Sequence, residues 1–500
     1  MGSAMTARPR RLRAGMTLAC GLVLVVLAGC GEGDAPARRI ALAECRLPKL
    51  AQAAQCGRVD VPEHRGDPRS RRLAIFVAVL PANTLSPKPD PLFVLAGGPG
   101  QAASSLGPFV RLLTDVRRTR DIVLVDQRGT GRSAPLDCPA FAPDEHAEFD
   151  TDAAPKAALC AAQLAARGVD AAQYTTSAFV ADLDDVRAAL GYARVNLWGG
   201  SYGTRVAQEY LRRHPDRVRS IVLDGVAPPS LRIAFDVWPT RDHALDAVVA
   251  ACRASAPCAR AHPDVGDALA QLRRDLAAPR DVAIRDPRTG DERTMRVDFD
   301  TLLAALQPLT YAPEAASLVP ELLALARRGE YAPLFAASLS IVGDLPGEFT
   351  PALYFSVTCS EDVPRITPAE RASGVDDARI RTLAARAIAV CDHWPHGAVP
   401  ADFATPVASD VPALLLSGGL DPVTPPAYAA EVARHLSRSR QVIAPGFGHI
   451  VSPHACVPRL VGAFVDSADP ARLPQRCVDF LAATTRPPTW PDRLAPRATP

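Results

Sequence analysis

The segment Val195-Asn196-Leu197-Trp198-Gly199-Gly200-Ser201-Tyr202-Gly203-Thr204 constrains this chain more than any other. Arg194–Trp198 reads as a buried strand, and Tyr202–Arg213 reads as a helix ending near Pro215. Between them a serine is framed by Gly199 and Gly203. A strand that turns sharply into a helix strains the residue at the turn, and small neighbours relieve the clash. The start of the helix also aims backbone N–H groups at developing negative charge. This is the setting a nucleophile elbow needs.

A serine hydroxyl is a weak nucleophile at neutral pH and needs a base, which in turn needs an orienting acid. Two downstream segments supply candidates. Leu414-Leu415-Leu416-Ser417-Gly418-Gly419-Leu420-Asp421 reads as a strand followed by a loop carrying Asp421. Val442-Ile443-Ala444-Pro445-Gly446-Phe447-Gly448-His449 reads as a strand followed by a glycine loop carrying His449. The two candidates are 28 residues apart, room for one helix and one strand. Both follow strand ends, where open α/β sheets bind ligands. Upstream, Ala96-Gly97-Gly98-Pro99-Gly100 follows the strand Pro91–Leu95, and its glycines allow close approach to an oxyanion. The N–H groups of Gly98 and Tyr202 are the expected oxyanion hole. A phosphate loop is disfavoured, because no Gly-Lys-Ser/Thr follows.

The rest of the chain fits this frame. Arg72–Leu80, Asp121–Val125 and Val218–Leu223 read as strands, and Ser177–Leu190 reads as a helix capped by Ser177. Such alternation predicts an α/β fold with a mainly parallel sheet and helices on both faces. From Pro229 to Asp402 the pattern becomes helical, apart from a hairpin around Asp281–Val297. Strand–helix alternation then returns at Val411–Ser417, Pro425–Leu436, Gln441–Ala444 and Val457–Phe464. The economical division is a core in two parts, 44–228 and 403–482, interrupted by a mostly helical cap insertion, 229–402. Residues 483–500 form a Pro- and Arg-rich tail.

The N-terminus reads as an export signal over 1–29: Arg8 to Arg13 precede an apolar run, Leu18 to Ala28, too short for a membrane span. It ends in Leu27-Ala28-Gly29-Cys30, which resembles a bacterial lipobox, so Cys30 is the expected lipid-modified first residue of a membrane-anchored, periplasmic or cell-surface protein. Residues 30–43 would be its tether. The remaining ten cysteines are even in number, which suits disulfides in an oxidising compartment. Neighbour pairing is the simplest arrangement: Cys45 with Cys56, Cys138 with Cys160, Cys252 with Cys258, Cys359 with Cys391 and Cys456 with Cys477. Sequence leaves that connectivity open. No Cys-x-x-Cys pair exists, so no metal site is expected. The formal charge is +2, and −2 without the four leader arginines, a poor electrostatic match for nucleic acid.

AGGPG, Asp126-Gln127-Arg128-Gly129-Thr130-Gly131-Arg132-Ser133, GGSYGT, GLDPVTP and GFGH occur in this order. Together they resemble the prolyl and tripeptidyl aminopeptidase group of serine peptidases in the α/β-hydrolase superfamily, over roughly residues 45–480. Ala96 departs from the pattern, because prolyl aminopeptidases begin the glycine motif with His; this leans towards the tripeptidyl-type branch. The resemblance implies an α/β-hydrolase fold and release of proline or short peptides from peptide N-termini, without a cofactor. Ser201 would attack, His449 act as base and Asp421 orient it. A substrate ammonium then needs a carboxylate; Glu361 is the first candidate and Asp362 the second. Asp126 and Arg128 read as braces of the loop near the oxyanion hole, and Thr424 as a support of the Asp421 loop. Two rivals stand beside the peptidase. An esterase or lipase would lack a carboxylate over the site, and an inactive hydrolase scaffold would serve as a binding lipoprotein.

Overall fold

The computed structural model describes residues 40–141, 153–342, 349–373 and 378–485. The leader with Cys30, most of the tether and the tail from 486 lie outside the described residues. Among those described, no helix is long and apolar enough to cross a membrane.

Nine strands form one sheet: β1 (Ala43–Cys45), β2 (Ala54–Pro62), β3 (Arg72–Leu80), β4 (Leu92–Leu95), β5 (Ile122–Val125), β6 (Val195–Gly200), β7 (Val218–Asp224), then, after the hairpin strands β8 (Arg280–Arg285) and β9 (Glu292–Val297), β10 (Ala413–Gly418) and β11 (Ser439–Ala444). The spatial order is β1-β2-β3-β5-β4-β6-β7-β10-β11. From β5 to β11 every pairing is parallel. β1, β2, β3 and β5 pair antiparallel at the other edge. The central strands LFVL, IVLV and ALLLSG are buried at every position, because helices cover both faces. Alternate residues feed two cores. Phe93, Val123, Leu197 and Leu223 face one; Leu92, Leu124, Trp198 and Val222 face the other.

Three details depart from the sequence reading. β6 continues two residues beyond Trp198, because Gly199 and Gly200 stay in register with Leu223 and Asp224 of β7. The helix Thr176–Ala189 is capped by Thr175, whose hydroxyl accepts from Ala178 N at 3.2 Å, not by Ser177. Thr175 has the extended backbone a cap requires, while the Ser177 hydroxyl donates to Glu209. The β1–β2 edge was also unforeseen. β2 (AQCGRVDVP) is polar and mostly half-exposed, so it lacks the apolar run that marks the inner strands.

Between β7 and β10 the described residues are helical except for the β8–β9 hairpin. They hold a third core, including Val248, Leu272, Leu302, Leu323 and Phe335, and Leu420 beside Asp421 joins it. The ten cysteines are joined as sequence neighbours, Cys45–Cys56, Cys138–Cys160, Cys252–Cys258, Cys359–Cys391 and Cys456–Cys477. Each crosslink trims the entropy of the unfolded chain.

Candidate active site

Ser201 stands between β6 and the helix Tyr202–Arg213 with φ +55° and ψ −124°. Such a conformation costs a non-glycine residue about 1–3 kcal/mol and persists only where the surroundings impose it. Here Ser201 N donates to Asp224 O at 2.8 Å, and the chain is packed too closely for side chains on either side. A Cβ on Gly199 would lie 2.3 Å from Gly203 O, and one on Gly203 would lie 2.3 Å from Leu95 O. The second clash shows how the AGGPG segment is held against the elbow. A Cβ on Gly97 would come within 3.2 Å of Ser201 Cβ. Gly98, with φ +107°, borders the same cavity as Ser201. Tyr202 is the first residue of the helix, so its N–H lies at the positive end of the helix dipole.

His449 Nδ1 lies 2.8 Å from Asp421 Oδ2. The carboxylate is satisfied all round. Val423 N and Thr424 N donate to Oδ1, each at 2.8 Å, and Thr424 Oγ1 donates to Oδ2 at 2.7 Å. Thr424 therefore supports the Asp421 loop directly. Burial would raise the Asp421 pKa, but His449 and these donors hold it below the usual carboxylate range. Burial would lower that of His449, but Asp421, helped by Asp224, raises it. With Nδ1–H engaged by Asp421, Nε2 is the nitrogen left to take a proton. Ser201 and His449 line one cavity of about 580 Å³. No hydrogen bond joins them among the described residues; such contacts commonly tighten only when substrate binds.

The loop after β5 is a brace. Asp126 accepts from Ser104 N at 2.8 Å, Ser104 Oγ at 2.9 Å and Arg132 N at 3.0 Å, which ties it to the segment following AGGPG. Arg128 is fully buried and grips both oxygens of Asp182, at 2.7 and 2.6 Å.

A family model described as alpha/beta hydrolase fold matches residues 90–453, most of the chain and both parts of the sheet. The chain belongs to the α/β-hydrolase fold family. Curated relatives sharpen the likeness. The chain is 29% identical over 197 residues to serine protease Hip1 of Mycobacterium tuberculosis, covering 36% of this chain and 38% of that protein. It is 32% identical over 204 residues to a tripeptidyl aminopeptidase of Streptomyces lividans, covering 38% and 37%. It is 37% identical over 145 residues to a probable proline iminopeptidase of Streptomyces coelicolor, covering 29% and 35%. The matches thus span little more than a third of these relatives' lengths.

In this α/β-hydrolase the carboxylates expected to receive an ammonium lie elsewhere. Glu361 and Asp362 are 1% and 0% exposed, and neither lines the Ser201 cavity. Both face the buried guanidinium of Arg205, with Nη1 at 3.5 Å from Glu361 and 3.0 Å from Asp362. Asp362 also accepts from Ile233 N and Arg365. Glu361 accepts from Thr176 N at 2.6 Å and Thr176 Oγ1 at 2.9 Å. Because Thr176 Oγ1 donates to Glu361, it accepts a hydrogen bond from the Tyr202 hydroxyl at 2.7 Å, and that hydroxyl accepts from Gln127 Nε2 at 3.1 Å. Burial pushes Glu361 up to about 7 against the pull of Arg205. The reason is Arg205: a fully buried cation needs anionic partners, and these two are adjacent to it. Glu361, the last residue of the helix Pro351–Glu361, thus reaches Thr176, whose hydroxyl meets that of Tyr202.

Sequence reasoning missed Asp224. Its carboxylate accepts from Val451 N at 2.9 Å and Ser452 N at 2.7 Å, so it anchors the loop that carries His449, while its carbonyl holds Ser201 N. The available signal was an aspartate at the end of an inner parallel strand. Because the Asp224 charge favours the imidazolium form of His449, Asp224→Asn is expected to move the acid limb of kcat/KM to lower pH. A pH–rate profile of the variant beside the unchanged enzyme checks this.

Proposed function

We propose that this α/β-hydrolase is a serine peptidase that removes proline or short peptides, such as tripeptides, from peptide N-termini. The observation that carries the reading is the Asp421–His449 pair bordering one cavity with a serine on a strained strand-to-helix turn. Ser201 attacks the scissile carbonyl as His449 Nε2 takes its proton, and Asp421 stabilises the imidazolium. The N–H groups of Gly98 and Tyr202 bind the oxyanion, each worth roughly 3–4 kcal/mol in the transition state. His449 protonates the leaving amine and then activates the water that frees Ser201. The relatives' names, a serine protease and two aminopeptidases, support the peptide substrate. The leader ending at Cys30 supports export and lipid anchoring, with the hydrolase on the outer side of a membrane.

A second reading, ester hydrolysis, is favoured by one observation. Among the described residues no aspartate or glutamate lines the Ser201 cavity. One assay separates the two: turnover of free and N-acetylated Ala-Ala-Pro and Pro fluorogenic amides, with a p-nitrophenyl ester alongside. Amide cleavage only with a free amine is the expected result. Ester turnover with no amide cleavage would leave the esterase.

A further inference from the structure

The Ser201 cavity is walled mainly by glycines, prolines and apolar side chains, among them Phe109, Trp198 and Val237. Among the described residues Arg241 is its one permanently charged group. Arg241 also borders an adjoining cavity of about 380 Å³, so its side chain stands where two spaces meet. It lies on the helix Ile233–Ala254, which is pinned beside the Asp421 loop by Thr240 Oγ1 donating to Pro422 O at 2.8 Å.

The guanidinium is held but not satisfied. Its Cζ stacks 4.5 Å from the Trp238 ring centroid, which holds one face of the group. Nε is buried without a hydrogen-bond partner. Among the described residues no ion pair joins Arg241 to a carboxylate, although Asp242 and Asp300 border the adjoining cavity. Burial raises the pKa of Tyr311 and Tyr354, and the Arg241 charge offsets part of that for both, which sets it beside the two phenols. Tyr311 in turn packs edge-on against His449, with ring centroids 5.2 Å apart. Arg205 shares the unpartnered Nε, but the fold gives that cation two carboxylates, which Arg241 lacks among the described residues. A buried donor without a partner calls for an explanation, and a fork of N–H donors fits a carboxylate best.

We propose that Arg241 binds a carboxylate of the substrate, so that the pocket selects short peptides carrying one near the bond that Ser201 attacks. This rests on the peptidase reading above for the word peptide alone. The carboxylate has two sources, a free C-terminus or an acidic side chain, and both present the same planar anion.

Binding to the full chain carrying Ser201→Ala tests the proposal without turnover. Calorimetric titration would compare Ala-Ala-Ala as free acid, Ala-Ala-Ala-amide and Ala-Ala-Asp-amide, each repeated with Arg241→Gln and with Arg241→Lys added. At least one of the two carboxylate-bearing peptides is expected to bind at least tenfold tighter than Ala-Ala-Ala-amide, Arg241→Gln to remove that difference and Arg241→Lys to keep part of it. Tight binding of Ala-Ala-Asp-amide would assign the carboxylate to a side chain; weak binding beside a tight free acid would assign it to the C-terminus. Equal affinities for all three peptides, no binding of any peptide, or a preference that survives Arg241→Gln would overturn the proposal. Ester turnover by the single Arg241→Gln variant reports that its elbow is intact. Absence of amide cleavage by the unchanged enzyme would sink the peptidase reading while leaving a carboxylate preference in place.

Discussion

Ser201→Ala is expected to lower kcat by about 10⁵–10⁶-fold while leaving the thermal unfolding midpoint almost unchanged. The first half follows from the proposed role of Ser201 as nucleophile of a set that acts as a unit, where removing one member costs nearly as much as removing all. The second half follows from the local structure. The strain at φ +55° is carried equally by serine and alanine, because it comes from the Cβ both share. The backbone bond from residue 201 to Asp224 O survives the change, and the hydroxyl bonds no other described residue. Steady-state kinetics with a thermal melt check both halves together. A large fall in the melting midpoint would show that the hydroxyl holds the elbow together.

Asp421→Asn is expected to lower kcat by about 10⁴-fold, with a smaller effect on KM. Four donors converge on the carboxylate: His449 Nδ1, Thr424 Oγ1 and the N–H groups of Val423 and Thr424. An amide has one acceptor oxygen. If that oxygen keeps the two backbone donors, its NH₂ faces His449 and forces the proton from Nδ1 to Nε2. The base is then lost although the geometry is kept. If the amide flips, two backbone donors are left facing an NH₂, at about 1–3 kcal/mol for each buried group without a partner. Removing the carboxylate also removes the charge that raises His449, so the residual activity should show its acid limb at lower pH. Kinetics across pH, with a melt to detect the flipped alternative, distinguishes the two outcomes.

The strands that place the site were legible because they are short apolar runs ended by glycine or a charged residue. Arg72–Leu80 and the helix Tyr202–Arg213 run over the residues the periodicity indicates. The fully buried strands β4, β5 and β10 admit hardly any polar residue, so burial itself writes them into the composition. The strand β2, next to the edge strand β1, was silent for the converse reason: it is mostly half-exposed and its residues are mixed, although it pairs with its chain neighbours β1 and β3.

What the sequence determined alone is the local geometry on which the proposed chemistry rests. An elbow needs glycines at fixed offsets from its serine, and a loop after a strand carries its aspartate or histidine to the same edge of the sheet. These are constraints over a few residues, and they are visible in a few residues. The tertiary structure decided which charges meet. Glu361 and Asp362 looked available for a substrate ammonium, yet they face Arg205, more than 150 residues earlier in the chain. Asp224 looked like the end of a strand, yet it holds both the Ser201 amide and the His449 loop. Arg241 is one arginine among many on helices, and only the packing leaves it without a carboxylate at the edge of the cavity. Coulomb energy depends on separation and burial in space, and neither is encoded by proximity along the chain.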